Sequence, residues 1–409
     1  MKVLVIVGSD LSVNSSANLC HRAYIQGLLD NGFSVDLLTV GTKEEIVRSE
    51  NGTEYRFPLK SIYEMISTIL RKNKPVQNTI IADNKNGISS SNRSKSIIRI
   101  IKKEIHRLYG PYEVYISWKR KAMHFRKEDT YDFVISLSFP PVSHYLADQL
   151  IKKKRIKTNR WIQIWEDPWC RDLVFLSLND KKAINRAEKE EKYLLNSADE
   201  IIYVSPITLE NQKNLFRESG HKMRWYPVPT YYVNRSGFGR SENLVYGYYG
   251  NYDTQVRNLE PFYNAALKEK ITLNICGHSD RPFASTGKIQ VRPRIALEEL
   301  KPLEDATDVL VFVCNLRGGQ IPGKIYQYSA TKKTILFILD GTSEEQKILF
   351  DYFSKYNRFV FCHNTDEEIR NAIRRIENGD IEEVTNRILD DFTPMNIMSQ
   401  IITKNMEAE

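Results

Sequence analysis

The chain has 409 residues, 41% of them apolar and 11% aromatic, and carries a net charge of +8. That length exceeds one ordinary core and that composition excludes a disordered chain, so two globular domains are expected. The basic balance favours anionic partners such as nucleotide phosphates, anionic lipid or nucleic acid. Five cysteines (Cys20, Cys170, Cys276, Cys314, Cys362) are scattered without CxxC spacing, most of them in apolar or strand-like runs. Buried reduced thiols are the expected state, with no metal centre. The opening MKVLVIVGS is shorter than a signal peptide, and no run reaches the roughly 18–20 apolar residues of a spanning helix. A cytoplasmic protein without a membrane span is the expectation.

Lys2–Val7 reads as a buried strand, Ala17–Asp30 as a helix stopped at Asn31-Gly32, and Phe33–Val40 as a second strand. This β-turn-α-β start implies a parallel sheet of the doubly wound type. Its turn lacks GxGxxG; Ser15 and Ser16 suit helix N-caps better than ligand contacts. From Tyr55 to about Asp129 the periodicity loosens, and the polar Asn78–Ser94 reads as a loop. Residues 93–127 then hold eleven Lys and Arg against Glu104 and Glu113. Ile97, Ile98, Ile101, Ile105 and Leu108 share one helix side there, and Tyr109, Tyr112, Tyr115 and Trp118 follow. Such a segment suits an anionic membrane surface, or equally a surface helix packed on its domain; no nucleic-acid module accompanies it.

Tyr131–Leu137 is a strand ending in Ser138-Phe139-Pro140-Pro141, and Val142–Lys153 is a helix that begins with Ser143 and His144. The strand Trp161–Trp165 delivers Glu166-Asp167-Pro168-Trp169 onto a loop. Carboxylates at the carboxyl end of a strand lie where open α/β sheets bind ligands, and one could serve as base or cation partner; a helix cap with a solvated charge is the alternative. Asn179–Asn196 is a charged helix, Glu200–Val204 a strand, and Ser205-Pro206 opens a helix to about Phe216. Tyr231–Asn243 is the best linker. The second half repeats the rhythm: strand Leu244–Tyr249, turn Gly250-Asn251-Tyr252, helix Asn258–Lys268, strand Ile271–Cys276, short strand Ile289–Arg292, helix Leu297–Leu303. Strand Val309–Val313 then leads through Gly318-Gly319 to Pro322-Gly323-Lys324, an amphipathic helix and strand Thr334–Leu339. Phe359–Cys362 is the last strand, Asp366–Asn378 a helix, and Ile381–Glu407 is expected to be largely helical with a break near Thr393-Pro394.

Gly318–Lys324 matches the spacing of a P-loop, but Ile325 replaces the magnesium-binding hydroxyl and Pro322 removes a backbone donor. The stretch can still seat a diphosphate: Gly318 and Gly319 allow close backbone approach, a helix start offers N–H groups, and Lys324 adds charge. A structural turn with a surface lysine is the competing reading.

At this point the chain resembles a family. FPPVSHYLADQL (139–150), WIQIWEDPW (161–169), EKYLLNSADEIIYVS (191–205), YGYYGNYDTQVRNLE (246–260) and GGQIPGKIYQYSATKKTILFI (318–338) follow the order of the retaining GT-B glycosyltransferases, family 4 in particular. The resemblance implies an α/β fold of two Rossmann-like doubly wound domains facing across a cleft: an acceptor-binding domain at 1–235, a donor domain at 236–385, and a helix at 386–409 packing back on the first. It implies metal-independent transfer from a nucleotide sugar to a saccharide or lipid-linked acceptor, in bacterial surface polysaccharide or glycoconjugate synthesis, on the cytoplasmic face of the membrane.

Asn251 and approximately Arg257 fall where two basic residues grip the donor diphosphate, with Lys324, Gly318 and Gly319 beside them. The family's Glu-x7-Glu motif maps to Gly319 and Gln327, so both carboxylates are absent. Gln327 could bind a ribose hydroxyl, and Pro293 and Arg294 fall at the base-contacting loop. Asp167 is the catalytic candidate with Glu166 second, and Ser15, Ser16 and His144 stand on the acceptor side. A nucleotide-sugar epimerase of related shape and a non-catalytic nucleotide-sugar-binding scaffold remain as alternatives.

Overall fold

The structure, a computed structural model, describes residues 1–13, 15–59, 115–138, 140–171, 181–230 and 243–403. The expected polar loop Asn78–Ser94, the basic helix up to residue 114, Phe139 and linker residues 231–242 lie outside them. Two sheets organise the chain. The first holds β1 (Lys2–Val7), β2 (Ser34–Gly41), β3 (Glu45–Ser49), β4 (Gly52–Pro58), β5 (Thr130–Leu137), β6 (Lys157–Trp165), β7 (Glu200–Tyr203) and β8 (Met223–Trp225), in the order β3-β4-β2-β1-β5-β6-β7-β8. The second holds β9 (Val245–Tyr249), β10 (Thr272–Cys276), β11 (Ile289–Arg292), β12 (Val309–Val313), β13 (Thr334–Leu339) and β14 (Val360–His363), in the order β11-β10-β9-β12-β13-β14. Contacts divide the chain into two compact units. One comprises Met1–His21, Gly32–Cys170 and Phe175–Ile201; the other comprises Arg22–Asn31, Arg171–Val174 and Ile202–Glu409.

The central strands are read correctly because a parallel strand covered on both faces must be apolar throughout. Val3–Val7 and Ile335–Ile338 have no accessible surface. Each sheet changes direction once. In the second, the chain runs outward from β9 to β10 and β11, then returns to β12 on the other side of β9. In the first, it runs outward from β1 to β2 and returns to β5 beside β1. Loops after the two strands at such a reversal leave in opposite directions and open a crevice at the carboxyl edge.

Helices are α1 (Ser16–Asp30), α2 (Tyr115–Ala122), α3 (Val142–Lys152), α4 (Lys181–Ser197), α5 (Pro206–Leu215), α6 (Glu260–Glu269), α7 (Leu297–Asp305), α8 (Lys324–Ser329), α9 (Ser343–Ser354), α10 (Asp366–Asn378) and α11 (Pro394–Thr403). Three differ from expectation. The helix after Pro322 has only six residues. Helix α9 is unpredicted, although its Thr342/Glu345 capping box is a sequence-level signal. The span 381–389 is not helical, because its backbone pairs elsewhere: Thr385 N donates to Asn357 O (2.7 Å), Leu389 N to Ser329 O (3.1 Å), and the buried Arg358 donates to Arg387 O (2.8 Å). The antiparallel pair β3/β4 also stands where periodicity is weak, since β3 is largely exposed. Among the described residues no helix is long and apolar enough to cross a membrane.

Candidate functional site

In the second unit the crevice beside β9 and β12 is built by three loops. The turn after β9 is laced to the turn after β10: Gly250 N donates to Cys276 O (3.0 Å), Tyr252 N to His278 O (2.9 Å), and His278 N to Asn251 Oδ1 (3.1 Å). A Cβ on Gly277 would lie 1.9 Å from the Gly250 carbonyl, so the two turns touch through bare backbone. Arg257 then ties this pair to the loop after β12. Its Nη1 donates to Asn251 O (2.9 Å) and its Nε to Asn315 Oδ1 (2.9 Å), while Asn315 Nδ2 donates to Gln320 O (3.1 Å). Asn315 is a residue that sequence reasoning passed over: it couples the guanidinium to the glycine turn. Arg257 is partly exposed, so its charge faces the crevice rim while its geometry is fixed from behind.

Asn251 contributes differently from expectation, since its side chain serves the neighbouring turn and its carbonyl carries both Arg257 and the Tyr248 hydroxyl (2.9 Å). Gly318 and Gly319 are both left-handed, with φ of 90° and 70°. Gly319 is buried: its carbonyl accepts the Ser205 hydroxyl, and a Cβ there would lie 2.2 Å from Ile207 Cγ2. The space a longer side chain would need at 319 is therefore filled by the start of α5, which gives a physical reason for the missing carboxylate. Lys324 Nζ is paired with Glu304 Oε1 at 3.2 Å and sits 6.0 Å over the Tyr328 ring. Glu304, on α7, was not anticipated. Gln327 lies partly exposed on the six-residue α8, while Pro293 and Arg294 are exposed just after β11. A helix of under two turns has little macrodipole, so Arg257 is the better anion ligand of the set.

In the first unit the crevice beside β1 and β5 gathers a second group. Gly8 N, at the end of β1, donates to Ser143 Oγ at the start of α3 (2.8 Å). Ser15 caps α1 by accepting from Asn18 N (3.2 Å), as its type predicts. Ser16, also predicted on the acceptor side, is the first residue of α1 and is exposed. His21, wholly buried on α1, places Nε2 3.1 Å from Glu166 Oε1 and 3.2 Å from Ser138 O. Burial alone would lower the His21 pKa, but the nearby Glu166 charge, with the Ser138 carbonyl, raises it. Burial pushes the Glu166 carboxyl up, opposed by His21. No motif marks His21 in the sequence; its only signal is a histidine on the apolar side of a helix opposite the carboxylate strand.

Asp167 follows, partly buried, and the loop beyond it is clamped: Glu191, buried in α4, accepts Cys170 N (2.8 Å) and Trp169 N (3.4 Å). His144 behaves in the opposite way to His21. Trp161 Nε1 donates to Ser136 Oγ (2.9 Å), which leaves the Ser136 hydroxyl to donate to His144 Nδ1 (2.7 Å). The ring lies 4.2 Å from that of Trp165 with no accessible surface, and burial lowers its pKa to about 3. It is a neutral core histidine. Of the three residues expected on the acceptor side, His144 is thus enclosed in the core, Ser15 caps α1 and Ser16 is exposed. Among the described residues no group of three or more His, Cys, Asp or Glu is placed to hold a metal ion.

No protein-family model matches the chain, and no curated protein matches its sequence. Solved structures do match over its whole length. The catalytic domain of starch synthase IV from Arabidopsis thaliana, bound to ADP and acarbose, aligns with a TM-score of 0.65 at 8% identity, covering 100% of this chain and 99% of that one. Sucrose-phosphate synthase from Thermosynechococcus elongatus aligns at 0.54 and 17% identity, covering 100% and 98%. The lipopolysaccharide outer core galactosyltransferase WaaB aligns at 0.53 and 9%, covering 100% of both chains. Two Rossmann-like, parallel-sheet domains matched across full length make this the fold of the GT-B glycosyltransferases.

Proposed function

We propose that the protein is a glycosyltransferase that moves a sugar from a nucleotide-sugar donor to a saccharide or lipid-linked acceptor, with retention, in bacterial surface polysaccharide or glycoconjugate synthesis. The observation that carries the donor half of this reading is Arg257, held between Asn251 O and Asn315 Oδ1 at the strand-order reversal of the second sheet, beside two left-handed glycines. A fixed guanidinium among turn amides suits a diphosphate leaving group, whose developing charge is the largest in the reaction. The sugar C–O bond to the diphosphate breaks, a bond to the acceptor oxygen forms on the same face, and the acceptor proton passes to the leaving phosphate oxygen. Asp167, on the loop clamped by Glu191, is assigned to the reacting carbon, where a carboxylate supports developing positive charge. Membrane attachment through 93–127 remains part of the proposal; within its described portion, 115–127, α2 carries Lys119, Arg120 and Lys121 in its last turn.

The test is release of nucleoside diphosphate from a panel of UDP-, ADP- and GDP-sugars. Asp167→Asn is expected to lower turnover by about 100-fold with nucleotide affinity retained. Full activity in that variant would remove Asp167 from the mechanism. Conversion of the nucleotide sugar itself, with no transfer, would point to an epimerase instead.

A further inference from the structure

The buried pair His21–Glu166 has its protonation written into its hydrogen bonds. Asn18 fixes one end. Its Nδ2 donates both protons, to Asp10 O and Val13 O (2.8 Å each), so its Oδ1 is an acceptor and takes the Ser9 hydroxyl proton at 2.7 Å. With that proton spent, Ser9 Oγ faces His21 Nδ1, 3.5 Å away, with lone pairs. At the other end Nε2 faces the Ser138 carbonyl and the Glu166 carboxylate. Every group around the ring, among the described residues, is an acceptor. A neutral imidazole needs a donor on one side, and a neutral Glu166 would need Nε2 as its acceptor, forcing the ring lone pair against the Ser138 oxygen.

We propose that His21 is a charged positioning residue: protonated on both ring nitrogens, it holds Glu166 as a carboxylate whose free oxygen receives a hydroxyl of the sugar-bearing substrate bound by this unit. The geometry of Glu166 fits that task. Oε1 is buried and receives the charge of the ring but no aligned hydrogen bond, because the ring N–H is directed at Ser138 O. Oε2 accepts from none of the described residues, and the side chain keeps 12% of its surface accessible. The crevice beside β1 and β5 is thus offered an ionised acceptor that an isolated, desolvated carboxyl could not remain. Cys20, beside His21 on α1, also interacts with Glu166, and Asp167 acts on the same thiol. Burial first, and then the charges of Glu166 and Asp167, disfavour a Cys20 thiolate, so Cys20 stands beside the pair as a neutral thiol.

The word substrate rests on the transferase reading; the charge of the pair does not, and one experiment separates them. Nitrogen-15 spectra of the histidine-labelled full chain report the protonation of each ring nitrogen. The His21 signal is identified by His21→Gln, or, if that variant does not fold, by elimination through replacing each of the other six histidines in turn. The expected result is a doubly protonated ring at pH 7.5, and in Glu166→Gln a midpoint lower by about 1–3 pH units. A single neutral tautomer in the wild type at pH 7.5, or an unmoved midpoint in Glu166→Gln, overturns the inference. With nucleotide sugars and a panel of mono- and disaccharides as acceptor probes, Glu166→Gln raises the saccharide KM about tenfold while UDP, ADP or GDP affinity is unchanged. An unchanged KM overturns the hydroxyl role. If the wild type binds none of the three nucleotides, the transferase reading fails while the spectra still decide the charge of His21.

Discussion

Replacing Gly319 by alanine probes why this chain lacks a carboxylate where the family it resembles has one. Its φ of 70° places an alanine in the left-handed region, which costs about 1–2 kcal/mol. The new Cβ would lie 2.2 Å from Ile207 Cγ2 and 2.7 Å from Ile207 Cβ. Ile207 is 5% exposed and has little room to yield, so overpacking adds about 1–3 kcal/mol. Together the loss is about 2–5 kcal/mol, read as a shift in urea midpoint at unchanged slope. The double variant Gly319→Ala with Ile207→Gly, which removes both Cγ2 and Cβ, separates the two causes: relative to Ile207→Gly alone, only the backbone part of about 1–2 kcal/mol should remain. If Gly319→Ala falls within about 0.5 kcal/mol of wild type, the turn is not packed as described and the account of the missing glutamate collapses.

Glu304→Gln frees Lys324 from its carboxylate; because Lys324 is 35% exposed, the pair is worth no more than about 1 kcal/mol, and nucleoside diphosphate affinity should rise about fivefold by calorimetry. Weaker binding in that variant would mean that Glu304 itself contacts the ligand. His144 supplies a pH signature. Its folded pKa is depressed to about 3 from 6.5, so its stabilising contribution is complete above pH 6.5 and is lost as pH falls toward 3. At pH 4.5 the wild type should have lost about 2–3 kcal/mol more than His144→Gln, measured by urea unfolding at pH 7.5 and 4.5. Equal losses would show that His144 is accessible to protons in the folded state.

What could be read from residues alone, and what could not, divides by the range of the interaction. Val3–Val7 and Val309–Val313 declare themselves because burial on both faces leaves no polar option, and the glycine pair at 318–319 declares a turn because few other residues adopt its dihedrals. Ser205 and Gly319 are 114 positions apart, and no local pattern announces that one hydroxyl caps the other's carbonyl. The same holds for His21 and Glu166, which meet only because strand order places β1 between β2 and β5. Asn315 was hidden for another reason: an asparagine after a strand is ordinary turn chemistry, and its hold on Arg257 exists only in three dimensions. Lys324 shows the converse, a residue whose sequence context suggests an exposed anion ligand and whose actual partner is Glu304.

The most direct measurement of the central claim is the thermal and calorimetric response of the full chain to UDP, ADP and GDP, in the wild type and in Arg257→Ala. At 100 times its dissociation constant, a nucleotide that binds only the folded chain stabilises it by about 2.7 kcal/mol. At least one of the three should give such a response, with affinity reduced at least about tenfold when the Arg257 guanidinium is removed. A wild type indifferent to all three, or an Arg257→Ala variant that binds as tightly as wild type, would contradict the claim.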